Sequence, residues 1–223
     1  MSLIAENLRL IKEKIEQAAK TSLMNQGDVN LIAVSKTKPL EAVEEAYTAG
    51  QKIFGENKVQ EALSKFRDLK DQHSDIEVHL IGPLQTNKAK EAVSLFDVIE
   101  SVDRPKLVSA LIKEMKKQDR WPECFIQVNT GEEDQKAGVL PKDLESLIDF
   151  SKEQGLPVIG LMCIPPVDEE AATHFSFLYE FAQKHNLQRI SMGMSADFEK
   201  AVRFGATDVR VGSSIFGERN KTY

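Results

Sequence analysis

Eight short runs of branched and aromatic residues recur along this chain, and segments of helical periodicity separate them. The runs are NLIAVS, QKIFG, IEVHLIG, DVIES, CFIQVN, VIGLMCI, RISMG and DVRVG. Between them, Val59, Ala62, Leu63 and Phe66 share one helix face, as do Leu107, Val108, Leu111, Ile112 and Met115. Leu140, Leu144, Leu147 and Ile148 make a third face, and Phe175, Leu178, Phe181 and Ala182 a fourth. Pro141 suits a helix start, and Gly50 and Gly155 suit helix ends. Strands that alternate with helices pair in parallel through right-handed crossovers. Eight such units within 223 residues predict an α/β fold, a single-domain (β/α)8 TIM-type barrel. An open doubly wound sheet is the alternative. Residues 1–24 predict an extra N-terminal helix, because Ile4, Leu8, Ile11, Ile15 and Ala18 recur at steps of four and three. No repeat or linker divides the chain, so residues 1–223 are expected to form one domain.

Charge and cysteine usage narrow the function. The 29 basic and 35 acidic residues are interspersed and sum to −6, which argues against a nucleic-acid partner. The two cysteines, Cys124 and Cys163, each sit inside an apolar run, and the four histidines are scattered. That pattern predicts buried thiols, with neither a disulfide framework nor a metal centre. No stretch approaches the ~18 apolar residues of a membrane span. The first residues lack the apolar core of a signal peptide. A cytoplasmic protein without a membrane partner is expected.

In a barrel of this kind the active site forms at the C-terminal ends of the strands. Reading each run's end gives a site list in chain order. It comprises Lys36; Glu56 and Asn57; His79, with Gln85, Asn87 and Lys88 in its loop; Ser101; Asn129 and Thr130; Met162; Met194 and Ser195; and Arg210, Gly212, Ser213 and Ser214. The last two units are the most informative. SMGMSADFEKAV reads as strand, turn and helix, with Ser195 in the N-cap position. DVRVGSSIFG repeats the design, with Gly212, Ser213 and Ser214 opening a short helix. Helix starts offer unpaired N–H groups to an anion, and small residues let a phosphate approach the backbone. Two such turns in adjacent loops predict a phosphate site. Arg210 is read either as part of an interior ion pair or as pointing at a ligand.

Lys36 ends the first run, which would close the barrel against the eighth. An amine there, near a phosphate site, suggests a Schiff base with a phosphorylated carbonyl compound. Lys38 shares its side of the strand but lies further out. From spacing alone, an aldolase acting on a sugar phosphate and a pyridoxal 5′-phosphate (PLP) protein both remain open.

The motifs AVSKTKP, FGENKVQE, HLIGPLQTNK, GLMCIPP, SMGMSADFEKAV and VRVGSSIFG, in this order, resemble the pyridoxal phosphate homeostasis protein family (the YggS/PROSC group). That family is similar to the N-terminal barrel domain of bacterial alanine racemase. The resemblance implies that Lys36 bonds PLP as a Schiff base. Ser195, with the backbone around Gly212 and Ser213, would hold the phosphate, and Met194 would add backbone near it. Arg210 would face the pyridine nitrogen, and Asn57 and His79 would line the pocket near the ring. It also implies a monomeric carrier that limits free aldehyde and passes PLP to PLP-dependent apoenzymes as transient clients. Racemisation needs a second base, which the racemase takes from a tyrosine of a partner subunit's C-terminal domain. Tyr47, Tyr179 and Tyr223 lie at no predicted strand end, so no efficient catalysis is expected. A PLP-dependent amino-acid racemase is the alternative. The loop QVNTGEEDQKAG, with Glu133 and Lys136, is read either as functional or as a solvated charged loop.

Overall fold

The computed structural model describes residues 2–24 and 27–218; Met1 and Tyr223 lie outside the described residues. Eight strands form the sheet: β1 (Asn30–Val34), β2 (Ile53–Glu56), β3 (Glu77–Leu80), β4 (Val98–Val102), β5 (Glu123–Val128), β6 (Val158–Cys163), β7 (Arg189–Ser191) and β8 (Asp208–Val211). They pair in parallel and in chain order, and β1 pairs with β8, so the sheet is a closed barrel. The helices are α1 (Leu3–Lys20), α2 (Leu40–Thr48), α3 (Val59–Gln72), α4 (Ala89–Leu95), α5 (Pro105–Gln118), α6 (Leu144–Glu153), α7 (Ala171–Lys184), α8 (Phe198–Arg203) and α9 (Ser213–Phe216). The predicted barrel is the observed one. Gly50 and Gly155 follow α2 and α6 with φ of 89° and 79°, as helix-terminating glycines do.

The N-terminal helix is shorter than predicted and ends at Lys20. The Ser2 hydroxyl accepts the Ala5 N–H at 3.3 Å and caps its start. Its predicted stripe of Leu8, Ile11, Ile15 and Ala18 is buried. Each of the three larger side chains contributes roughly 1.5–3 kcal/mol by leaving water. The helix packs on α2, α8 and α9 and so covers the seam where β1 meets β8.

Apolar residues alternate outward from the strands toward the helices: Phe54 packs on Phe66 of α3, with ring centroids 5.6 Å apart. The barrel interior holds a small apolar cluster of Val98, Phe125 and Met162. Next to it, where Val98 pairs with His79, are the buried polar residues His79, Glu100, Ser191, Asp208 and Arg210. Cys124 and Cys163 are buried free thiols, as predicted. Among the described residues, no His/Cys/Asp/Glu group of three or more could hold a metal. None of the described helices is long and apolar enough to cross a membrane.

Candidate functional site

The loops after the first and last strands meet at the seam and enclose a cavity of about 360 Å3. Lys36, Asn57, Met194, Ser195, Arg210, Gly212 and Ser213 all line it, together with Val34, Ile81 and Ile164. Larger hollows lie between α1 and α8, at about 640 Å3, and beneath α1 at the opposite end of the barrel, at about 410 Å3. Size therefore does not choose the site. The convergence of an amine, a guanidinium and small polar loop residues does.

Lys36 stands two residues beyond β1 and is half-buried. The next residue, Thr37, has φ of 63°, a left-handed conformation that a β-branched residue rarely adopts. Surrounding bonds hold it there: its N–H donates to Glu61 Oε1. Glu61 is paired with Lys65 Nζ at 3.0 Å, and Lys65 also donates to the Ser35 carbonyl at 2.8 Å. Beneath the loop, buried Glu56 receives Lys65 at 2.5 Å and the Ser35 hydroxyl at 2.7 Å. Burial raises the Glu56 carboxyl above its ordinary pKa, and Lys65 and Ser35 offset part of that. Glu61 is partly buried, yet the Thr37 amide and Lys65 hold its pKa low. Lys38 does not enter this chemistry. Its Nζ donates to the carbonyls of Phe216, Gly217 and Glu218, at 2.9, 3.0 and 3.1 Å, and so caps α9.

Ser195 is not the helix N-cap that the sequence predicted. An intervening turn makes Asp197 the residue before α8, and Asp197 Oδ1 accepts the Met194 N–H at 2.6 Å. The Ser195 hydroxyl instead accepts the Gly212 N–H at 3.3 Å, which joins the last two loops. Gly193 makes this turn possible. Its φ is 89°, and a Cβ there would lie 2.5 Å from Ala201 Cβ. The first ladder bonds of α9 start at Ile215 and Phe216, so the amides of Ser213 and Ser214 precede them. Ser195→Ala should lower stability by roughly 0.5–1.5 kcal/mol, read as a shift in urea midpoint at unchanged slope.

Arg210 lines the cavity and is also bonded within the barrel. Its Nη1 donates to Ser191 Oγ at 2.6 Å and its Nη2 to the Cys163 carbonyl at 2.7 Å. Asn57 is set by Gly82, where a Cβ would fall 2.3 Å from the Asn57 carbonyl oxygen. Met194 is 38% exposed at the rim.

His79 is a correction: it does not line the cavity. It is the next-to-last residue of β3, and its ring is fully buried below, between Glu100 (2.6 Å from Nδ1) and Glu77 (2.6 Å from Nε2). Burial disfavours its charge, but the two carboxylates outweigh burial and raise its pKa to about 9. Other strand-end residues are also turned away. Met162 joins the interior cluster, and Ser101 is buried with its hydroxyl unpartnered. In the fifth loop Lys136 pairs with Glu133, and Asn129 brackets Glu133 through its carbonyl (2.8 Å) and amide (3.2 Å). The described residues of that loop do not line the cavity.

Over residues 3–220 the sequence matches the family described as "Alanine racemase, N-terminal domain". The "Pyridoxal phosphate homeostasis protein" of Pseudomonas aeruginosa is 41% identical, with 99% of this chain and 97% of that protein covered. The protein of that name from Haemophilus influenzae is 38% identical, with 97% and 96% covered. The chain belongs to the pyridoxal phosphate homeostasis protein family. Among solved structures, PipY of Synechococcus elongatus with PLP bound matches with a TM-score of 0.81 and 38% identity, covering 96% of this chain and 100% of that one.

Four residues around the site escaped the sequence reading: Glu61 and Lys65 under the lysine loop, and Glu100 and Ser191 behind Arg210. Lys65 left a signal, because it lies in the apolar stripe of α3 between Ala62, Phe66 and Leu69. Glu100 left one too, as a carboxylate inside the run DVIES.

Proposed function

We propose that this protein binds PLP through Lys36 and acts in intracellular PLP homeostasis, as a carrier or buffer without efficient catalysis. One observation carries the reading. A single cavity joins the Lys36 amine, the linked Ser195 and Gly212–Ser213 loops, and the Arg210 guanidinium. PLP supplies an aldehyde for an amine, a phosphate for hydroxyl and amide donors, and a pyridine nitrogen for a ring-facing donor. The residues present fit each part. Lys36 brings its amine from a loop held by Glu61 and Lys65. Ser195 and the Ser213 region offer the phosphate donors. A Cβ on Gly212 would come within 3.2 Å of the Val34 carbonyl oxygen, so the smallest residue keeps this wall close to β1. Arg210 presents a fixed cation, which disfavours a proton on a nitrogen facing it.

The lining residues support a carrier over a catalyst. Among the described residues they include no carboxylate, histidine or tyrosine that could move a substrate α-proton opposite Lys36. Tyr47 bonds Asp75 at 2.8 Å, and Tyr179 packs against Gly205, so both are engaged elsewhere. Transient delivery to PLP-dependent apoenzymes, a monomeric state and a cytoplasmic setting belong to the same proposal. The two free buried thiols accord with a reducing compartment.

The test is an absorption spectrum of the purified protein with added PLP, before and after borohydride, beside Lys36→Ala. The expected result is a yellow protein that borohydride converts to a stable adduct on Lys36, with the adduct absent in the variant. A wild type that stays colourless with added PLP would overturn the reading.

A further inference from the structure

Behind Arg210 a chain of buried polar groups crosses the barrel. Arg210 Nη1 donates to Ser191 Oγ at 2.6 Å, and Ser191 Oγ donates in turn to Glu100 Oε2 at 2.5 Å. Arg210 also lies 3.8 Å from Glu100 Oε2. Glu100 Oε1 is held by His79, and His79 by Glu77, whose side chain is 38% exposed toward the far end of the barrel. Arg189 and Asp208, bonded at 3.1 Å, flank that end. The side chains of Glu100 and Arg210 are 0% and 3% exposed. A buried guanidinium needs a counter-charge and a fixed set of acceptors, or the cost of burying it rises steeply.

We propose that Glu100, acting through Ser191, is a positioning residue for Arg210: it fixes the guanidinium at the floor of the cavity and balances its charge. This rests on the reading of Arg210 as the group facing the pyridine nitrogen. Ser191 is the hinge of the arrangement because it spends its one proton on Glu100 and offers its lone pair to Arg210. The Cys163 carbonyl holds Nη2, so two donors are anchored inside the barrel. The guanidinium carries five N–H groups, which leaves donors for the cavity. Loss of the Ser191–Glu100 link frees the Nη1 end and lets the cation swing away from a bound ring. The nitrogen then becomes free to titrate, amid the fields of Glu100, His79, Glu77, Arg189 and Asp208.

The test compares wild type, Ser191→Ala, Ser191→Thr and Glu100→Gln, each loaded with PLP. Three readouts are needed: borohydride trapping on Lys36, the absorption maximum of bound PLP across neutral pH, and the rate at which PLP leaves to an acceptor apoenzyme. Ser191→Ala should still trap PLP on Lys36. Its absorption should become pH-dependent where that of the wild type is constant, and PLP should leave about tenfold faster. Ser191→Thr, which keeps the hydroxyl, should restore both. Glu100→Gln should match Ser191→Ala if it folds. If it does not fold, the two Ser191 variants decide, because they leave the Glu100–His79 pair in place. A folded Ser191→Ala with unchanged spectrum and release rate would overturn the positioning role, whatever its stability. Failure of wild-type trapping would instead overturn PLP binding by Lys36, so the two failures are distinct.

Discussion

Lys65→Met should cost about 3–5 kcal/mol of stability, the usual penalty for removing one partner of a buried ion pair. The side chains of Lys65 and Glu56 are 8% and 0% exposed, and their charged atoms lie 2.5 Å apart. Methionine keeps much of the volume but leaves Glu56 as an uncompensated buried carboxylate. Glu56 Oε2 is already buried and unpartnered, so the structure has no reserve donor there. Burial, and to a lesser degree the charge of Glu61, raises the pKa of Glu56, and losing Lys65 removes the main opposing force. The variant's carboxyl then takes up a proton on folding, so its deficit should shrink as pH falls. Urea midpoints for Lys65→Met, Glu56→Leu and the double variant would measure this. The double variant should recover most of the loss, because two apolar side chains no longer strand a charge. A loss below about 1 kcal/mol in Lys65→Met would show that the pair contributes no more than an exposed one. The same substitution also frees the Ser35 carbonyl and Glu61, so the loop that carries Lys36 should loosen with it.

The second large effect belongs to His79. Its pKa is held up to about 9, against 6.5 for a free imidazole, despite complete burial. The group facing it from β4 is Glu100, and Glu77 faces it from its own strand. A raised folded-state value means that the native protein binds the proton more tightly than the unfolded chain. The resulting stabilisation is fully present below about pH 6.5 and is lost as pH rises through about 9. Its size is on the order of a few kcal/mol. Urea unfolding followed from neutral to alkaline pH should therefore show a steady loss of stability. Ring 15N resonances of His79 should show both nitrogens protonated at neutral pH. A neutral imidazole at pH 7 would contradict this reading.

Part of the site was legible because its logic is local. Lys36 follows an apolar run, and Gly212 and Ser213 form a strand-to-helix turn, so neighbours in sequence are enough to place them. Ser195 lines the cavity but bonds the Gly212 amide rather than capping a helix. A residue's place as N-cap depends on one turn's conformation, and Asp197 competes for it. His79 was misplaced for a different reason. Barrel strands are tilted and staggered, so equal distances from a strand's end do not mean equal depth in the barrel. One residue of parity and stagger separates a cavity wall from the layer beneath, where Glu100 waits. Lys65, Glu61, Glu100 and Ser191 act through partners as far as 91 residues away, in the case of Ser191 and Glu100. No local pattern encodes such a pairing; only the closed barrel brings it about.

The seam between β1 and β8 has a consequence for biosynthesis. Lys36 emerges from a ribosome well before Arg210, Gly212 and the carbonyls that bind Lys38. No nascent intermediate can assemble the pocket before its eighth strand is released, however much of the earlier barrel has collapsed. A chain that stops before β8 would carry Lys36 without the Arg210, Gly212 and Ser213 wall of its cavity.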